Sequence, residues 1–217
     1  LADTGICCID EFDKMDERDR TNIHEVMEQQ TISIAKAGIT TSLNARTSIL
    51  AAANPVYGRY NKNLSPHDNI NLPAALLSRF DLIFLLLDTA DSDLDQKLAR
   101  HVTQVHQKLA APVIENDLKI PAEVMRAFIA QAQTFTPVIP PELHNYIVAK
   151  YCEKRKFQAE GSDEVSYMYI TPRTLLGIIR ISQSLARLHF RDVIEQPDVD
   201  QALKLMDYSI RSLRKIK

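Results

Sequence analysis

Short apolar runs and helical periods alternate along the first half of the chain. Residues 6–9 form a four-residue apolar run that stops at two adjacent carboxylates, Asp10 and Glu11, which predicts a buried strand. Residues 17–30 predict a helix, with Ile23, Val26 and Met27 at helical spacing and Arg18, Glu25 and Glu28 turned outward. Residues 31–34 alternate polar and apolar positions, run through Lys36-Ala37-Gly38 and resume at Ile39, so that Gly38 marks the bend of a β-hairpin. A second apolar run, 48–53, stops at the turn pair Asn54-Pro55. Residues 57–71 are polar and lack a helical period, and 72–77 predict a short helix with Pro73 near its first turn. Residues 82–87 are consecutively apolar and closed by Asp88, which predicts a strand buried on both faces.

Beyond this point the pattern becomes helical. Residues 94–109 predict a connecting helix, and 110–120, with Pro112 and mixed polarity, a linker. Four further helices are predicted over 121–133, 141–157, 172–190 and 197–213. Each has a proline near its first helical position, where the missing N–H removes no hydrogen bond. Thr171 precedes Pro172 as an N-cap, and 159–169 reads as a polar loop. The order predicts an α/β unit over 1–109, the linker 110–120 and an all-α unit over 121–217.

Composition narrows the class. The chain has 217 residues, 45% of them hydrophobic and 25% charged, enough for one sizeable core or two modest ones and too apolar for a disordered tail. Its formal net charge of -2 offers no global basic field, so any contact with nucleic acid must be local. Cys7, Cys8 and Cys152 lack metal-ligand spacing and suit a reducing compartment, and the adjacent pair Cys7-Cys8 on a predicted strand reads as small buried apolar residues. No signal peptide, targeting motif or membrane-spanning apolar run is evident, and the six histidines show no metal spacing with acids. The reading is of a soluble, intracellular chain.

Several residue sets carry chemistry. Two acids at the carboxyl end of a strand sit where open α/β sheets bind ligands. There Asp10 suits Mg²⁺ and Glu11 suits orienting an attacking water, although two solvated acids leaving a strand read the same way. Asn54 ends the next strand, where its amide would lie beside Glu11, or it is simply a turn residue before proline. Arg79, in Ser78-Arg79-Phe80-Asp81, is either a helix-end arginine or a guanidinium that grips a neighbour's phosphate, a role contributing roughly 10³–10⁵ in rate. Arg173 opens a helix, a place favourable to phosphate, or is a first-turn arginine in water. Lys36 near the hairpin tip is a solvated turn residue or a contact to a nucleic-acid backbone. The loop Tyr57-Gly58-Arg59-Tyr60-Asn61-Lys62 mixes aromatic and basic residues and reads better as a packing or subunit-contact loop.

Taken in order, Cys8-Ile9-Asp10-Glu11-Phe12-Asp13-Lys14-Met15, His24-Glu25-Val26-Met27-Glu28-Gln29-Gln30, Ser33-Ile34-Ala35-Lys36-Ala37-Gly38-Ile39, Ala51-Ala52-Ala53-Asn54-Pro55 and Leu76-Leu77-Ser78-Arg79-Phe80-Asp81 resemble the ATPase region of the minichromosome maintenance (MCM) replicative helicases. The resemblance is densest over 5–107, and in the helical half it rests on Thr171-Pro172-Arg173-Thr174-Leu175-Leu176. One paralogue group of that family is closest in wording at 5–9 and 71–77. The resemblance implies a partial AAA+ (P-loop NTPase) fold: a three-layer αβα base with a pre-sensor 1 β-hairpin, followed by an all-α lid. It implies the Walker B acids at Asp10 and Glu11, sensor 1 at Asn54, the arginine finger at Arg79, a neighbour-facing sensor 2 at Arg173 and a DNA-contacting hairpin lysine at Lys36. It further implies ATP and Mg²⁺ as cofactors and a heterohexameric ring with other MCM paralogues. Single-stranded DNA would lie in the ring's channel, replication-initiation and fork factors would be partners, and the location would be nuclear.

Two departures qualify this. The Gly-x-x-x-x-Gly-Lys-Ser/Thr loop, the helix 2 insertion and the zinc-bearing DNA-binding region do not occur here, and a C-terminal winged helix is not evident. In AAA+ strand order the strand before that loop separates the Asn54 strand from 82–87, so these residues are expected to belong to a longer chain and to be inactive alone. The alternative function is a non-catalytic ring subunit that completes a neighbour's ATP site. Another AAA+ machine, such as a chelatase, would not need Lys36-Ala37-Gly38 together with Ser78-Arg79-Phe80.

Overall fold

The computed structural model describes residues 1–36, 39–58, 60–61, 69–70, 72–88, 90–108, 120–160 and 170–214. Strand β1 (Ile6–Ile9) leads through a 3-10 turn (Phe12–Lys14) into helix α1 (Glu17–Gln29). Strands β2 (Thr31–Lys36) and β3 (Ile39–Asn44) pair antiparallel, from Thr31 opposite Asn44 to Lys36 opposite Ile39. Strand β4 (Ser48–Ala51) returns parallel to β1, with Ile9 opposite Ala51. Among the described residues the parallel part of the base is this two-stranded ladder, not a complete three-layer sandwich. Helix α2 (Ala74–Leu77) is a single turn that starts after Pro73, shorter than the expected 72–77.

The helical half comprises α3 (Ser92–Lys108), α4 (Ala122–Ala132), α5 (Pro141–Glu160), α6 (Pro172–Leu188) and α7 (Gln196–Arg214). Pro141, Pro172 and Pro197 occupy the first helical turns, whereas Pro121 stands just outside α4 as its N-cap residue. Helix α5 runs three residues past its expected end, to Glu160, into the stretch read as a loop; 161–169 lie outside the described residues, as do residue 109 and 110–119 of the linker. Much of the polar loop 57–71 lies outside them too. Thr171 caps α6, its backbone N–H donating to Thr174 Oγ1 at 3.1 Å. No helix among the described residues is long and apolar enough to cross a membrane.

Two cores form. In the base, Phe12, Leu72 and Leu76 are buried against Ile9, Ile23, Met27, Ala51 and Phe80, with the Phe12 and Phe80 rings edge to face at 5.9 Å. In the lid, Ile147, Ile178, Ala186, Ile194, Val199, Leu203 and Met206 are buried together. Leu82 of the base packs against this second core.

Residues 82–87 correct the sequence reading. They form no strand, and alternate positions are open to solvent, with Phe84 and Leu86 exposed. A strand needs a partner for its backbone groups, and among the described residues none lies alongside. Lid hydroxyls serve instead: Ile83 N–H donates to Ser209 Oγ at 2.9 Å, and Ser209 Oγ donates to Ile83 C=O at 2.6 Å. Leu85 N–H donates to Ser212 Oγ at 3.3 Å. Cys8, expected buried, is exposed and Cys7 half-buried, because nothing described covers the outer face of β1.

Gly177, in the middle of α6, is where the lid meets the base. A Cβ there would lie 2.9 Å from Asp81 Oδ1 and 3.2 Å from Met206 Cε. Asp81 cannot swing away cheaply, because Arg180 grips both of its carboxylate oxygens. Overpacking of about 1–3 kcal/mol outweighs the helix-propensity gain of about 1 kcal/mol from alanine. Gly177→Ala is therefore expected to lower the melting temperature of the full-length protein, and the same change on an Asp81→Ala background to raise it. Calorimetry of the four variants checks this, and a rise in both backgrounds would refute the steric account.

Candidate functional site

The first group of site residues gathers where β1 and β4 end. Because the strands are parallel and Ile9 is opposite Ala51, Asp10 and Glu11 leave the ladder on the same side as Asn54. Both acids are exposed, and among the described residues neither is in an ion pair. Glu11 adopts the left-handed conformation (φ 49°, ψ 43°), an arrangement costing of order 1–3 kcal/mol for a residue with a side chain. The bend is held by hydrogen bonds on both sides. Glu11 N–H donates to Asp10 Oδ1 at 2.8 Å, Phe12 N–H to Ala52 C=O at 2.9 Å, and Lys14 N–H to Glu11 C=O at 2.8 Å. Backbone strain at an acid beyond a strand end is the kind of outlier that marks a site.

Asn54 is tied to this turn through a residue that sequence reasoning did not single out. Its backbone N–H donates to the buried carboxylate of Asp13 at 3.0 Å. That hydrogen bond, against the cost of burial, holds the Asp13 carboxyl below its ordinary value, with Lys14 Nζ at 3.4 Å adding a smaller effect. Arg20 Nη2 donates to Asp13 C=O at 2.7 Å and ties the turn to α1. The available signal was Asp13's place inside Asp10-Glu11-Phe12-Asp13-Lys14-Met15, where a third acid on the turn had no assigned work.

The second group lies at the far end of α1. Glu28, expected to point into water, takes Arg79 on Oε2 and Arg173 on Oε1, the latter at 2.9 Å. Arg79 Nη1 also donates to Ala75 C=O at 2.9 Å, and Arg173 Nη1 to Ser78 Oγ at 3.2 Å. The two arginines hold the Glu28 carboxyl below the usual range, chiefly through the hydrogen bond from Arg79. His24, one turn earlier on α1, is held toward its neutral form by burial and by the Arg79 charge.

Thus the structure brings Asp10, Glu11 and Asn54 to one place and Arg79 and Arg173 to another. No hydrogen bond or ion pair among the described residues links the two groups. Lys36 ends β2 opposite Ile39, while residues 37–38 and the Lys36 side chain lie outside the described residues.

The family model of the MCM P-loop domain matches residues 1–106, and that of the MCM AAA-lid domain matches 123–210. The chain belongs to the MCM family. It is 56% identical over 214 residues to DNA replication licensing factor mcm7 of Schizosaccharomyces pombe, covering 98% of this chain and 28% of that protein. It is 57% identical over 213 residues to MCM7 of Arabidopsis thaliana, covering 98% and 29%. To MCM6 of Arabidopsis thaliana it is 45% identical over 213 residues, covering 98% and 25%. The MCM7 relatives share more of the chain than the MCM6 relative does. This MCM chain spans 28% to 29% of the length of its first two relatives. An MCM P-loop domain followed by an MCM AAA-lid domain accounts for the change from α/β base to all-α lid.

The Asp13 contact has a pH signature. Its folded pKa is depressed, so its contribution is complete above the unfolded value, about 3.9, and is lost as pH falls through the folded one. Denaturant unfolding should show wild type more stable than Asp13→Asn at pH 7, with the difference closing toward pH 2. Asp13→Ala, which strands the Asn54 N–H, should cost about 1–3 kcal/mol at neutral pH. A wild-type advantage over Asp13→Asn that persists unchanged at pH 2 would contradict the assignment.

Proposed function

We propose that this MCM chain belongs to an ATPase subunit of a ring-shaped hexameric replicative DNA helicase, and that it contributes to two different ATP sites. The observation that carries the reading is that Asp10, Glu11 and Asn54 share the strand ends while Arg79 and Arg173 are held together on Glu28, with no hydrogen bond or ion pair joining the two groups among the described residues. A single self-contained site would need both groups around one triphosphate. A site shared between subunits needs them on different faces.

On the first face, the residues fit MgATP by their chemistry. Asp10 offers hard carboxylate oxygens free of any ion pair among the described residues and would hold Mg²⁺. Glu11, in its strained turn, orients the attacking water and accepts its proton, and Asn54 donates its amide toward the γ-phosphate. Bound Mg²⁺ would neutralise charge on the β- and γ-phosphates. On the second face, Arg79 acts as the arginine finger and Arg173 as sensor 2 toward the nucleotide held by the adjacent subunit. Two guanidiniums next to each other match the spread of charge over the transferred phosphoryl group.

The antiparallel pair β2–β3 serves as the pre-sensor 1 hairpin, and Lys36 at its turn end contacts the phosphate backbone of a single DNA strand in the channel. With a net charge of -2, such contact has to be local, and repetition around a ring supplies the collar of charge. The partners are other MCM paralogues, DNA, and replication-initiation and fork factors, and the location is nuclear. The names of the relatives, DNA replication licensing factors, support this assignment.

Glu11→Gln and Arg79→Ala, made separately in full-length chains assembled with their ring partners, test the two faces. With the other interfaces silenced, Glu11→Gln should lower turnover at the acidic-face interface by roughly 10²–10⁴. Arg79→Ala should lower it at the opposite interface by roughly 10³ or more. If Arg79→Ala alone lowers turnover, the subunit is a finger donor without catalysis of its own. If both act on the same interface, the two-face reading is wrong.

A further inference from the structure

We propose that Glu28 is a positioning residue that gathers Arg79 and Arg173 into one cationic pair, so that a neighbour's triphosphate meets both guanidiniums together. The inference rests on the reading of those arginines as neighbour-facing and adds a residue to that site.

The geometry separates this role from an incidental surface ion pair. Each guanidinium is held at two points. Arg79 reaches Ala75 C=O at 2.9 Å with one terminal nitrogen and Glu28 with the other. Arg173 reaches Ser78 Oγ at 3.2 Å with one and Glu28 Oε1 at 2.9 Å with the other. Both arginines are therefore anchored to residues 75–78 on one side and joined through a single carboxylate on the other. Like charges brought this close would repel without a group of opposite sign between them. One carboxylate is enough to join two guanidiniums and too little to cancel them, so the cluster keeps a net positive charge for a polyphosphate.

The arginines also come from different parts of the fold. Arg79 follows α2 in the base, and Arg173 lies in the first turn of α6 in the lid. Glu28 sits near the end of α1, whose Ile23 and Met27 pack on the base core. The carboxylate thus rides on a packed helix and fixes a lid residue relative to a base residue. Arg79 is the better shielded of the two, its side chain 18% exposed against 42% for Arg173. Its Nε is buried without a hydrogen-bond partner among the described residues.

The test uses full-length chains in the assembled ring, with turnover read at the arginine-side interface. Glu28→Gln should lower kcat there by about 10–100-fold, the penalty of an ångström-scale misplacement, with KM for ATP changed less than about threefold. Glu28→Asp, which keeps both oxygens, should recover most of that loss. On an Arg79→Ala background, Glu28→Gln should cost less than it does in wild type, because only the Arg173 contact is left to lose. Turnover at the acidic-face interface serves as the internal check that the variants fold and assemble. An increase in kcat with Glu28→Gln would mean that Glu28 restrains the arginines, and no change would mean that it is a spectator; either overturns the proposal. If Arg79→Ala leaves this interface active, the neighbour-facing reading itself fails. If Arg79→Ala abolishes turnover and Glu28→Gln does not, only the role of Glu28 fails.

Discussion

Residues 82–88 have no strand beside them among the described residues, and the lid takes up their backbone polar groups instead. Ser209 both accepts from and donates to Ile83, and Ser212 accepts from Leu85. Leu82 enters the lid core, and Asp81 is gripped by Arg180 across the gap left by Gly177. Through this docking the first turn of α6 arrives beside Ser78 and Arg79, which immediately precede the docked segment. Without it, Arg173 and Arg79 would have no common neighbour.

Magnitudes indicate which contacts set the arrangement. Exposed ion pairs such as those of Glu28 add little to stability, whereas a fully buried aliphatic side chain such as Ile178 or Ile194 contributes about 1.5–3 kcal/mol. The cores and the Ser209 and Asp81 contacts therefore bring base and lid together, and Glu28 adjusts what that packing has already placed. The same division holds at the other site. The β1–β4 ladder and the burial of Phe12 bring Asp10, Glu11 and Asn54 to one end, and the Asp13 hydrogen bond sets the spacing.

Much of this was legible in the sequence because the signals were local. The apolar run ending in Asp10-Glu11, the helical period through Ile23 and Met27, and the Thr171-Pro172 cap each read directly from neighbouring residues. The misreadings came where structure depends on distant partners. Six apolar residues at 82–87 predict a strand only if another strand stands beside them, and here serines more than a hundred residues away take that role. Glu28 is exposed, as its place on the amphipathic helix predicts, but its partners were not legible there. Nothing within its own helix reveals that arginines 51 and 145 positions further on converge there. Asp13 was visible within its motif, yet its bond to Asn54 follows only from strand order.

The central claim is that one chain serves two nucleotides. A structure of the full-length protein in its ring, bound to a transition-state analogue of ATP hydrolysis, tests it directly. The account predicts Asp10, Glu11 and Asn54 around the analogue bound to their own subunit, and Arg79 and Arg173 within hydrogen-bond reach of the analogue on the adjacent subunit. All five residues around a single analogue, or both arginines turned away from any phosphate, would contradict it.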